Sequence, residues 1–213
     1  MKHITFYLDF ISPYAHLAFE KLPEALMGLS YSVSYKPVLL GAILKHHGQL
    51  GPAEVPAKRD WTYRHVQWLG HHHAVDLTMP AVHPFNPLPL LRLAIACAGG
   101  GDPNRYVCET LLRHVWQGGA DAVDAARLQQ LRGQLSPPLA PDDEAVKARL
   151  RQNTDEAIAA GVFGVPAYQA DDKLFWGFDA LPMLRDYLRG EAWFDGPGWH
   201  AVGRIAAGAA RQR

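Results

Sequence analysis

Ser12 is the residue best placed to do chemistry. Thr5-Phe6-Tyr7-Leu8-Asp9-Phe10-Ile11 reads as a short strand that stops at Ser12-Pro13, and Tyr14-Ala15-His16-Leu17-Ala18-Phe19 then starts a helical pattern. Ser12 is therefore expected at an N-cap with Pro13 at the first helical position, because a serine oxygen accepts orphan N–H groups and proline has none to lose. The same orphan donors and the helix dipole favour an anion beside Ser12, although such a serine can also be a cap and nothing more. Cys97 and Cys108 lie too far apart for a Cys-x-x-Cys redox pair and are too few for a zinc site built on cysteine, so both read as buried or partly buried thiols. His46-His47 and His71-His72-His73 are consecutive. Neighbours on a helix point in different directions, which makes them a poor ligand set, and no metal is expected.

The elements that must position Ser12 follow from periodicity. Strand and helix are succeeded by Leu29 to Val38, which alternates polar and apolar residues as a strand does. The usual right-handed crossover makes the two strands parallel and puts Ser12 at the carboxyl end of the first, the edge where ligands tend to bind. From Leu39 the pattern turns helical, with stretches at 40–47, 56–70, 88–98, 104–117 and 122–135, interrupted by Leu77 to Pro87, whose prolines imply a stiff extended loop. A helix ending at Gly161 leads through Val165-Pro166 into Ala167–Ala170. Asp171-Asp172 then makes a hairpin turn into Lys173–Trp176, and Asp179 opens an amphipathic helix as its N-cap. The fold class is thus α/β, a thioredoxin-like fold with a large all-helical insertion between its βαβ and ββα halves. Residues 1–38 and 151–189 would form the discontinuous thioredoxin-like domain and 39–150 the helical insertion. Residues 190–213 would be a tail, partly docked and partly mobile.

A chain of 213 residues can bury a proper core. Its 21 basic and 21 acidic side chains cancel, which argues against nucleic acid or an anionic membrane as the main partner. Met1-Lys2-His3 runs straight into the first strand, with no signal-peptide core and no bilayer-length apolar stretch, so a cytoplasmic location is expected.

Asp9-Phe10-Ile11-Ser12-Pro13-Tyr14, Lys36-Pro37-Val38-Leu39-Leu40-Gly41 and Gly161-Val162-Phe163-Gly164-Val165-Pro166, followed by Phe175-Trp176-Gly177-Phe178-Asp179, resemble the 2-hydroxychromene-2-carboxylate isomerases. Those enzymes are kin of the kappa-class glutathione transferases, and both are similar in fold to the periplasmic disulfide oxidoreductases. The resemblance runs from about residue 3 to 189. Where the oxidoreductases carry Cys-x-x-Cys, this chain has Ser12-Pro13-Tyr14-Ala15, so dithiol chemistry is not available here. The resemblance implies glutathione as cofactor, with the Ser12 hydroxyl stabilising its sulfur as thiolate.

It further implies a cis peptide at Val165-Pro166, leaving the Val165 backbone to pair with glutathione as an added strand. Asp179, after Trp176-Gly177, would meet the amino group of the γ-glutamyl end or only cap its helix. Gln49 falls where kappa-type chains have an asparagine, and Lys58 where they have a lysine for a glutathione carboxylate. Phe178 and Ala180 depart from the polar residue and the arginine that commonly flank this aspartate. Lys45, His83 and Asn86 are candidates for binding an aromatic 2-ketoacid or chromene carboxylate. The implied activity is glutathione-dependent interconversion of 2-hydroxychromene-2-carboxylate and trans-o-hydroxybenzylidenepyruvate, by a homodimer. The alternatives are a kappa-like transferase conjugating electrophiles, or a thioredoxin-fold binding module without catalysis.

Overall fold

The computed structural model describes residues 1–203, 205, 206 and 208. Strand β1 (Lys2–Leu8), helix α1 (Pro13–Ala25) and strand β2 (Tyr31–Pro37) form the first unit, with β1 and β2 parallel and Leu8 opposite Pro37. Helices α2 (Leu40–His46), α3 (Pro56–His72), α4 (Leu88–Cys97), α5 (Arg105–Trp116), α6 (Ala125–Leu135) and α7 (Glu144–Ala159) come next. Strands β3 (Ala167–Ala170) and β4 (Lys173–Trp176) close the sheet in the order β2-β1-β3-β4, with β3 antiparallel to both of its neighbours. Helix α8 (Leu181–Leu188) follows, and α9 (Pro197–Val202) lies in the tail. This is the thioredoxin-like arrangement. The α7 helix runs through position 150 without a break, so one rigid element links the helical block to the second half.

The strand period of two sends β1 side chains to opposite faces, and both faces are covered. Ile4, Phe6 and Leu8 join the main core with Phe19, Leu22 and Leu111, while Tyr7 joins Val38, Ile43, Ala157 and Val162 on the other face. Burial of each large side chain contributes about 1.5–3 kcal/mol. Placing β1 between two packed layers therefore holds its carboxyl end, where Ser12 begins, in one position.

One sequence expectation changes. Asp179 does not cap α8: it lies within a 3-10 turn, Phe178–Ala180, and Ala180 occupies the cap position. Pro182 in the first turn of α8 starts that helix without a side-chain cap. The start of the tail is docked, because Phe194 is buried against Phe175 and Tyr187 and Trp199 stacks on Phe175 at 6.2 Å. The mobile part expected beyond it lies mostly outside the described residues. Among the described residues no helix is long and apolar enough to cross a membrane.

Candidate active site

The turn Asp9–Ser12 between β1 and α1 is buried and tied on every side. Ser12 caps α1, its Oγ accepting the Ala15 N–H at 3.2 Å, and its own N–H donates to the Asp9 carbonyl at 3.1 Å. The Phe10 carbonyl accepts from Trp116 Nε1 at 3.0 Å and the Ile11 carbonyl lies 2.9 Å from His83 Nε2. The Asp9 carboxylate accepts the Ile11 N–H at 3.2 Å and the Leu40 N–H at 2.9 Å. Burial pushes the Asp9 carboxyl up to about 7, against the opposing pull of those N–H donors. No acidic residue lies in the first turn of α1, so nothing there offsets the positive end of the helix dipole.

Across from this turn, Val165-Pro166 is cis. Ser12 Oγ donates to the Val165 carbonyl at 3.4 Å, a long bond that a better acceptor would replace. The Val165 N–H makes no hydrogen bond among the described residues. Gly177 ties the next turn to the proline, its N–H donating to the Pro166 carbonyl at 2.9 Å. Gly177 has φ 101° and ψ 163°, a region open only to glycine, and a Cβ there would run into the Asp179 carboxylate. Gly164 serves the same wall, since a Cβ on it would meet the indole of Trp176 at 2.7 Å. Trp176 can therefore lie over Gly164 and against Phe163 at 4.9 Å with half of its surface exposed.

Asp179 is exposed, and its charge reaches Tyr14, whose phenol is pushed up first by burial and then by this carboxylate. Phe178 turns the other way and packs edge-on against His73 at 5.0 Å. The phenylalanine thus fills the seam between α3 and the turn.

The structure therefore brings Ser12, Val165, Pro166, Trp176, Gly177 and Asp179 to one edge, with Phe178 behind them. The remaining candidates sit elsewhere or are already engaged. Lys45 is exposed in the last turn of α2, Gln49 in the loop after it, and Lys58 in the first turn of α3. Among the described residues none of their side chains bonds to the Ser12 turn. Asn86 spends its Oδ1 on the Leu88 N–H at 3.1 Å at the start of α4. His83, expected as an open substrate ligand, is half-buried with both ring nitrogens occupied, Nδ1 by the Tyr63 hydroxyl at 2.8 Å and Nε2 by the Ile11 carbonyl. Burial holds its imidazole below its ordinary range. Its geometry is that of a brace for the turn.

Sequence reasoning missed Asp9, Trp116 and Tyr63 as parts of this site. Asp9 alone carried a signal, a charged residue at the end of an otherwise apolar strand. Neither cysteine is at the site: Cys97 and Cys108 are pushed well above the ordinary thiol range by burial, Cys97 to about 11.

The arrangement brings a capping hydroxyl, a cis X-Pro backbone and an exposed carboxylate to one edge, and known proteins share its fold. A 2-hydroxychromene-2-carboxylate isomerase from Sphingobium xenophagum is 29% identical over 88% of this chain and 98% of its own. The kappa 1 glutathione S-transferase from Rattus norvegicus is 26% identical over 89% and 92%. A solved 2-hydroxychromene-2-carboxylate isomerase superposes with a TM-score of 0.75 at 21% identity, covering 91% of this chain and 97% of the other. A family model for the DSBA-like thioredoxin domain matches residues 3–189, which takes in the four strands except Lys2 together with the Ser12 turn and the Val165–Asp179 segment. With a serine where the redox pair of such a domain would begin, the chain belongs to the DSBA-like thioredoxin domain family.

Proposed function

We propose that the protein is a glutathione-dependent isomerase that interconverts 2-hydroxychromene-2-carboxylate and trans-o-hydroxybenzylidenepyruvate. One observation carries this reading. A capping serine hydroxyl at the N-terminus of α1 faces a cis Val165-Pro166 whose Val165 N–H is open, with no thiol of the chain nearby. Those residues fit glutathione: a hydroxyl and a helix N-terminus for its sulfur, an extended backbone for its peptide, and an exposed carboxylate for its ammonium.

Bound glutathione supplies a thiol whose reversible addition to a conjugated double bond leaves a single bond free to rotate. Ser12 Oγ–H and the α1 N-terminus favour the thiolate over the thiol. The Val165 N–H and C=O would hold the peptide backbone of the tripeptide. Asp179, exposed beside Gly177, would receive the γ-glutamyl ammonium. His83 holds the Ile11 carbonyl, and with it the turn that carries Ser12.

A kappa-type transferase is the second reading, favoured by the 26% identity to the rat kappa transferase over nearly the whole chain. The two readings differ in whether the sulfur leaves again. Titration of glutathione into wild type and Ser12→Ala, followed by calorimetry and by thiolate absorbance, tests what they share. Binding with a thiolate signal that the variant loses supports both, and absence of binding in wild type abandons both for a binding module. Turnover of the chromene carboxylate with glutathione recovered intact supports the isomerase. A stable thioether product supports the transferase instead.

A further inference from the structure

Asp9 is completely buried, yet no cation accompanies it. Its Oδ1 accepts from Ile11, the residue before Ser12, and its Oδ2 from Leu40, the first residue of α2. Leu39, at the cap position of α2, offers that helix no side-chain acceptor. One carboxylate thus caps α2 and closes the Ser12 turn, while the Asp9 carbonyl takes the Ser12 N–H. Its elevated pKa is caused by burial, opposed only by the N–H groups of Leu40, Ile11 and Phe10. No charged side chain of β1, α1, α2 or α7 contributes.

A buried carboxylate in this state weakens the fold at neutral pH, and an asparagine would fill the same space without charge. Groups kept against stability cluster at functional sites, because selection for function outweighs the loss. Ser12 does not need Asp9 in order to cap α1. What Asp9 adds is registration of the Ser12 turn against α2, the helix that leads to Lys45 and Gln49.

We propose that Asp9 is the positioning residue of the thiol site, its two carboxylate oxygens holding the Ser12 turn and α2 in the one relative placement that accepts glutathione. This inference rests on the glutathione reading above. A protonated Asp9 turns one oxygen into a donor that faces an N–H, so one of the two ties is released and the placement relaxes.

The test is glutathione affinity and thiolate absorbance in wild type and Asp9→Asn at pH 6 and pH 8, beside their melting temperatures. The expected result is affinity weakened about tenfold or more at pH 8, the scale of a lost hydrogen bond to a charged group, with a melting temperature at or above that of wild type. A merely structural Asp9 would lose affinity and melting temperature together, and that result overturns the proposal, as does unchanged affinity. Leu40→Pro read against Leu40→Ala supplies a second test, because both lose the Leu40 packing on the Tyr7, Val38 and Ile43 cluster and only the proline, which suits the first position of a helix, also removes the N–H that Oδ2 accepts. Weaker affinity in the proline variant than in the alanine variant supports the proposal and equal affinity overturns it. Wild type that binds no glutathione overturns the glutathione reading and this inference with it, whereas wild type that binds while Asp9→Asn binds equally well overturns this inference alone.

Discussion

The two turns that face each other across the site are built in opposite ways. Asp9–Ser12 is buried, and its backbone and carboxylate are engaged by Trp116, His83, Leu40 and Ala15, groups drawn from four helices or their flanking loops. Trp176–Asp179 is held by the sheet pairing of Trp176 with Ala167, by the Gly177 hydrogen bond to Pro166 and by Phe178 packing, yet it leaves an indole and a carboxylate exposed. A sulfur must be held to a fraction of an ångström for its charge to be stabilised, because a preorganised donor costs no rearrangement at the moment of reaction. A peptide end bound through an ammonium tolerates more play. The rigid turn suits chemistry and the loose one suits recognition.

If that division is right, the largest effect comes from the rigid turn. Ser12→Ala should lower glutathione-dependent turnover by about 10²–10³-fold, the scale of losing one preorganised donor, while loss of the cap costs only about 1 kcal/mol. Turnover assays beside melting curves separate the two, and equal turnover in both proteins would dissolve the contrast.

The stability cost of Asp9 comes next, and its sign is specific. A carboxyl whose folded pKa is raised from 3.8 to about 7 binds its proton more tightly in the folded state. Its contribution is therefore full below pH 3.8 and is lost as pH rises through about 7. The stability advantage of Asp9→Asn over wild type, read from denaturant unfolding, should thus be near zero at pH 4 and grow toward pH 8, reaching on the order of a few kcal/mol. A difference that does not change with pH would remove Asp9 from the account.

Trp116→Phe leaves the Phe10 carbonyl buried without its donor and should cost about 2 kcal/mol, with turnover falling along with stability, measured by denaturant unfolding and assay. Gly177→Ala, in a backbone region reserved for glycine, should cost about 1–3 kcal/mol. It should weaken glutathione affinity more than turnover at saturation, since the loose turn only recognises. The smallest effect belongs to Phe178→Ser, which exchanges packing on His73 for a polar group beside Asp179. Glutathione affinity should change by only about twofold to fivefold, within the range of one surface contact. A change in maximal turnover there would erase the distinction between the turns.

How much of this was legible differs by residue. Ser12-Pro13 announced a helix start because capping is local: an oxygen, a missing N–H and the next turn of backbone suffice. The second strand was legible from alternation, and Gly161 and the hairpin at Asp171-Asp172 from the backbone that turns require. Asp179 looked like a cap because an aspartate before an amphipathic run usually is one. The glycine ahead of it and Pro182 after it moved the helix cap one residue on, to Ala180, and left the Asp179 carboxylate exposed. His83 looked available because its loop is rich in proline, but Tyr63, twenty residues away on α3, occupies it.

Local chemistry along the chain was enough to determine the strand and helix order, the capped start of α1 and the absence of a redox pair there. Only the tertiary structure decided that Asp9 would be buried without a cation, that Trp116 and His83 would brace the Ser12 turn, and that Val165 would keep an open N–H opposite it. Those contacts join residues 31 to 153 positions apart. No periodicity records such pairs, because each is set by which faces the packed layers bring together.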